Sequence, residues 1–423
     1  MKRRNPWIYI PTLYFAEGLP YILVNTVSVI MYKKMGVSNQ LIGLTSFFYL
    51  PWVLKMFWSP MVDIISTKRS WVIHMQLALA IALVGVALVI QQASFFTLTL
   101  VLFTIMAFLS ATHDISIDGY YMLALNKKDQ ALFSGIRSTF YRIAVIFGSG
   151  LLVIIAGRIE IRTGNIPLSW FVVMIIAAVI FALLFLFHRW YLPFPDSDQP
   201  GRSADQPSQG SFFQVFQAYF RQEKIGLIIL FILTYRLGEA FLTKMATPFL
   251  LDTPEAGGLN LPTETVGYVY GTVGVLSLVL GGICGGWLVA RYGLRKTIWP
   301  LALALKAPDL VYVYMAAAKP GLTAIYPLVA LEQFGYGMGF TAFMVFLMYT
   351  ARAPYKTSHY AISTGIMALG MMIPGLVSGV VQHALGYQGF FLFIISMTIP
   401  GLLLLFFVPI RDMEKNHSAT EKG

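Results

Sequence analysis

The sequence predicts an all-α membrane protein of twelve transmembrane helices arranged as two six-helix halves. Three observations carry that prediction. Of the 423 residues, 57% are hydrophobic and only 12% are charged, where a soluble domain carries about a quarter charged; so little charge cannot cover a surface that faces water. The apolar residues fall in runs of about 20, the length that crosses a hydrocarbon core as a helix. No segment alternates with the period of two that a transmembrane barrel requires.

The first run follows Lys2, Arg3 and Arg4, as a signal peptide would. It extends over 7–32, contains Glu17 and lacks a small-residue cleavage site. That is too long for the apolar region of a signal, so it is read as span one. The remaining spans are expected at about 40–60, 71–91, 95–124, 132–156, 169–190, 225–251, 264–290, 297–318, 323–351, 359–384 and 388–410. Orientation follows from the basic residues. Of 30 Lys and Arg, 19 lie at the N-terminus, in the even-numbered loops and in the C-terminal tail, against 5 in the alternate loops (Lys33, Lys34, Arg158, Arg162 and Lys319). Basic loops stay in the cytoplasm, which puts both termini there.

The longest polar stretch, Leu192–Gln222, is rich in Pro, Ser, Asp and Gln and has too few apolar residues to fold alone. It divides the chain into an N-terminal half (1–190), a cytoplasmic linker (191–223), a C-terminal half (224–411) and a tail (412–423). The halves echo each other: SPMVDIISTKRSWVI after span two matches GGWLVARYGLRKTIW after span eight in position and in its basic loop. Two such halves on one linker are the plan of the major facilitator superfamily.

Other function classes are poorly supported. The net charge of +11 is spread through loops rather than massed in one stripe, which argues against nucleic acid. A lone Cys284 rules out a disulfide framework and multi-cysteine metal sites. No nucleotide or metal motif is present, and no cofactor is expected. An integral-membrane enzyme or sensor would need a catalytic cluster or an appended soluble domain.

Function is expected where charge is tolerated in the membrane, because a charge at the bilayer centre costs about 2.5–3.5 kcal/mol on insertion scales. Glu17 lies between Pro11 and Pro20 in span one. Lys55 is in span two, Asp114 and Asp118 in span four, Arg142 in span five, Arg236, Glu239 and Lys244 in span seven, Asp309 in span nine and Glu332 in span ten. Asp114 and Asp118, four apart, share one helix face. Close, buried carboxylates favour a bound proton, so these two and Glu17 are the proton-coupling candidates, with a structural network neutralised by Arg137 or Arg142 as the alternative. Arg142 could equally pair with the acids or grip an anionic substrate through its fork. Arg142, Arg236, Glu239, Lys55 and Glu332 are the substrate-cavity candidates, with Tyr120, Tyr141 and Tyr235 as aromatic surfaces beside them. Pro248 and Pro254 suggest an irregular span seven.

At these segments the chain resembles the AmpG family of muropeptide permeases within the major facilitator superfamily. The resemblance rests on FAEGLPYIL, LPWVLKMFWSPMVD, FLSATHDISIDGYY, YRLGEAFLTKMATPFLLD, EQFGYGMGFTAFMVFLM and HYAISTGIMALGMMIPG, which occur in the family's order over most of the chain. It implies a proton-coupled importer of anhydromuropeptides, the disaccharide-peptide fragments of peptidoglycan, in the bacterial inner membrane. It also implies that Asp114, Asp118 and Glu239 line the cavity, and that the partners are a glycopeptide-like small molecule, protons and lipid. A monomer is expected, since one chain holds a full pathway. Met371 and Met372 stand where the resemblance implies a polar or basic residue, which leaves room for a less anionic ligand. The same broad group includes acetyl-CoA and siderophore carriers, the alternative reading.

Overall fold

Helix starts follow capping side chains in the sequence. In the computed structural model, which describes residues 4–125, 127–200, 212–351 and 356–410, Asn5 accepts from the Trp7 amide, Thr67 from Ser70 and Asn165 from Leu168. Each satisfies an amide that the first helical turn leaves without an internal partner. All regular structure among the described residues is helical.

Helix occupies all twelve expected segments. Ten helices among the described residues are long and apolar enough to cross a membrane. The last of these, His359–Leu404, covers spans eleven and twelve, which part at Gly386, where φ of 64° breaks the helix; a side chain would be strained there. Span two is broken into Asn39–Leu44, a 3-10 turn at Thr45–Tyr49 and Leu50–Ile65.

Span seven is irregular, but not at its prolines. Pro248 sits inside the continuous helix Leu237–Leu251. The break falls at Arg236, between Ile225–Tyr235 and Leu237–Leu251. Its cause is a side chain inserted into the backbone ladder: Lys306 Nζ donates to the Tyr235 carbonyl at 2.5 Å.

The linker also differs from expectation. Phe212–Phe220 forms a helix, and the Tyr219 hydroxyl meets Ser363 Oγ at 2.8 Å in a buried contact. Its aromatic residues, too few for a core of their own, fold by docking. Upstream, Asp198 accepts from the amides of Lys68 and Arg69 at 2.7 and 2.9 Å, which places a carboxylate on the N-terminus of the span-three helix, where the helix dipole favours it.

The chain divides into two compact units, Met1–Val37, Phe47–Gln206 and Pro262–Gly271 in one, and Ser38–Ser46, Pro207–Leu261 and Thr272–Gly423 in the other. Within the first, Gly271 lies so close to span five that a Cβ would sit 1.8 Å from the Ser149 carbonyl oxygen. A buried polar chain also ties four spans together: Thr12 Oγ1 to His188 Nε2 (2.9 Å), His188 Nδ1 to Gln76 Oε1 (2.9 Å) and Gln76 Nε2 to His113 Nε2 (3.2 Å). Gln76 Oε1 can only accept and its amide can only donate, so His188 carries its proton on Nδ1 and His113 on Nδ1. Within the second unit, a Cβ on Gly379 would lie 1.8 Å from the Asn39 carbonyl oxygen. There Asn39 Nδ2 donates to Gln382 at 2.7 Å and Tyr387 at 2.9 Å.

Candidate functional site

In the first unit, the helix Phe95–Ala124 carries Asp114 and Asp118 one turn apart. The i, i+4 spacing puts both on one face, and each has its own cation. Lys55, from Leu50–Ile65, pairs with Asp114. Arg137, from Lys127–Ile146, reaches Asp118 at 3.2 Å. The Tyr14 hydroxyl of span one donates to Asp118 at 2.9 Å, and the Arg137 guanidinium lies 4.9 Å from the Tyr14 ring and 5.1 Å from the Tyr121 ring. Asp118 is 41% exposed and Asp114 only 17%, so the pair runs from a wetter position to a drier one. Glu17, in span one, lies within hydrogen-bond reach of Asp114, and no donor reaches its Oε2. The first unit therefore brings the three acids proposed for proton coupling into one cluster with two cations.

Both Arg137 and Arg142 lie near the acids in sequence, and the structure pairs Arg137. Arg142 makes no hydrogen bond or ion pair among the described residues, and the titratable group that acts on it is Tyr141. Tyr141 also lies beside Glu17 and Asp114. Tyr120 stands apart. It is wholly buried, its hydroxyl donates to the Pro193 carbonyl at 2.9 Å, and its ring packs at 6.2 Å from Tyr9.

The remaining candidates gather in the second unit. Lys306 Nζ lies 3.4 Å from Glu239 Oε1, with both side chains buried. Arg236 donates to the Tyr336 hydroxyl and lies 4.7 Å from the Phe340 ring. Glu332 accepts from Gln333 Nε2 at 2.9 Å. Lys244, also buried, donates to Thr45 Oγ1 at 3.0 Å. Tyr235 is fully buried, stacked on Phe343 at 4.7 Å, with its hydroxyl donating to the Gly339 carbonyl. Such a ring is packing rather than a surface for a ligand.

A family model described as Major Facilitator Superfamily matches residues 12–358. The chain belongs to that superfamily. Among facilitator relatives it is 25% identical to the anhydromuropeptide permease of Escherichia coli (strain K12), over 92% of this chain and 77% of that one. To the putative transporter AmpG 4 of Rickettsia conorii it is 23% identical, over 93% of this chain and 94% of that one. In three dimensions it is similar to a mutant of the nucleoside transporter NupG, with a TM-score of 0.73 at 16% identity, covering 97% of this chain and all of that one. At that identity the likeness speaks for the facilitator fold alone. The protein is a multi-pass membrane transporter, and relatives that carry the AmpG name accompany the motifs that suggested them.

Sequence spacing finds the acids of a facilitator but not their partners. Tyr14 lies 104 residues from Asp118 and Lys306 lies 67 from Glu239, and nothing local to either pair announces the contact.

Proposed function

We propose that the protein imports peptidoglycan-derived anhydromuropeptides across the inner membrane of a bacterium, in symport with protons and by alternating access. One observation carries the coupling: Asp114 and Asp118 share a helix face, and each neutralises its own cation, Lys55 and Arg137. The names of the E. coli and Rickettsia relatives support the cargo.

The arrangement links proton and cargo through charge. A proton on Asp114 cancels its charge and frees Lys55, and one on Asp118 frees Arg137. The freed cations, together with Arg142 of the same half, which has no ion pair of its own, attract the carboxylates of a muropeptide. When the protons leave on the cytoplasmic side, the acids recapture their cations and the anion loses its hold. Each ligand then favours binding of the other by the same factor, and each charge crossing 100 mV supplies about 2.3 kcal/mol. Residues 1–190 and 224–411 act as the two moving halves on the 191–223 linker. The basic loops keep both termini in the cytoplasm, and the unit at work is a monomer.

The test is uptake of labelled anhydromuropeptide into vesicles with and without an imposed pH gradient. Accumulation is expected to follow the gradient in wild type, and Asp114→Asn or Asp118→Asn is expected to abolish it at unchanged expression. Gradient-driven accumulation by both variants at the wild-type level rules out the coupling. Accumulation of acetyl-CoA or a siderophore in place of the muropeptide rules out the cargo.

A further inference from the structure

The acids of the first unit serve the coupling just described. The second unit holds three of its own: Glu239 in span seven, Asp309 in span nine and Glu332 in span ten, exposed by only 1%, 2% and 3%. Two cations accompany them. Lys306, one turn before Asp309, is committed to the Tyr235 carbonyl and to Glu239. Arg236, one turn before Glu239, is committed to the Tyr336 hydroxyl and two aromatic rings. Glu332 has the Gln333 amide.

Asp309 has nothing comparable. No donor among the described residues reaches either of its carboxyl oxygens. The charges that act on it are Glu239, Glu332 and Lys306, two negative and one positive. Of the other titratable side chains, Tyr235 lies beside Glu239 and Arg236, Tyr336 beside Arg236, Glu239 and Glu332, and Tyr312 beside Glu332, while span twelve brings no titratable side chain between 388 and 404. Three carboxyls facing two cations, out of contact with water, leave one negative charge uncompensated, which an apolar interior penalises strongly. A single bound proton removes it. Glu239 has Lys306 as an ion-pair partner and Glu332 accepts from the Gln333 amide, whereas neither oxygen of Asp309 has a donor to lose, so the proton is placed there. A metal cation is the poorer occupant, because no three such groups among the described residues converge on a point as ligands would.

We propose that Asp309, together with Glu239 and Glu332, forms a second proton-binding site, so that the C-terminal half carries a proton of its own. The participation of this proton in transport rests on the proton-coupled reading above; its presence does not.

Infrared spectra of the purified full chain in lipid nanodiscs, compared in H2O and D2O at neutral pH, read the site directly. Wild type, Asp114→Asn and Asp118→Asn are expected to share one deuterium-sensitive carbonyl component of a protonated carboxylic acid, and Asp309→Asn to lose that shared component while keeping the wild-type helical circular dichroism. Glu332→Gln leaves Asp309 in place but removes one negative charge, so the same band should titrate at lower pH. A band unchanged in Asp309→Asn, or unmoved in Glu332→Gln, overturns the proposal. So does a band that vanishes when sodium replaces choline in the buffer, which would make this a sodium site. In vesicles, losing one of the coupled protons lowers the limiting accumulation of labelled anhydromuropeptide about tenfold for a gradient of one pH unit. Gradient-independent uptake by wild type would sink the coupling and leave the band standing. A missing band would sink the second site and leave the coupling standing.

Discussion

Replacing Lys306 by Met should cost more stability than removing almost any other cation of the protein. Lys306 and Glu239 face each other at 3.4 Å with side-chain exposures of 3% and 2%. In that regime, deleting one partner leaves a buried charge without compensation and costs about 3–5 kcal/mol. Glu239 has no reserve, because its second oxygen already lacks a donor. The substitution also strips the Tyr235 carbonyl of the group that satisfies it at the break in span seven. A control sits in the other unit: Lys34 and Glu160 approach even closer, at 2.7 Å, but are 22% and 19% exposed. Water screens such a pair, and its loss costs about 1 kcal/mol or less. Thermal unfolding of the purified protein in one detergent should therefore show Lys306→Met destabilised several times more than Lys34→Met. Adding Glu239→Gln to Lys306→Met should recover part of the loss, since the stranded charge is gone, and a double-mutant cycle isolates that coupling. A Lys306→Met variant no less stable than Lys34→Met refutes the reasoning, as does a double variant no more stable than Lys306→Met alone.

Two further outcomes follow. Gln76→Leu removes both ends of the buried chain between His113 and His188, leaving each ring nitrogen without its partner at about 1–3 kcal/mol apiece; an unfolding temperature unchanged from wild type would show the chain to be incidental. Arg142→Gln should leave stability within about 0.5 kcal/mol, as for a group without a partner to lose, while raising KM for muropeptide uptake much more than it lowers kcat. Loss of stability without a change in uptake would contradict its assignment to the cargo.

The helical spans were legible because lipid imposes a length and a composition that the chain must display residue by residue. The breaks were legible only in part. Gly386 lies between spans eleven and twelve where the apolar pattern pauses, and its positive φ is what a glycine at such a corner permits. Span seven shows the other case. Its prolines advertise an irregularity, yet Pro248 is absorbed into the helix and the chain breaks at Arg236, because a lysine from another span takes the carbonyl the helix would have used. No local pattern encodes that, since the decisive group is 71 residues away.

The same distinction governs the candidate site. Acids inside an apolar run stand out in a sequence, since a charge without purpose in lipid is costly, and Glu17, Asp114 and Asp118 do meet in one cluster. Which cation each acid takes depends on how the helices are packed: Arg137 rather than Arg142 reaches Asp118, although both lie on span five. That choice has a chemical consequence. Either arginine could close the pair and leave the other over; because Arg137 closes it, Arg142 is the guanidinium of span five that keeps no ion pair. On the proposed function the half holds both protons and an anion and needs both guanidinium groups, and helix packing rather than composition supplies the division.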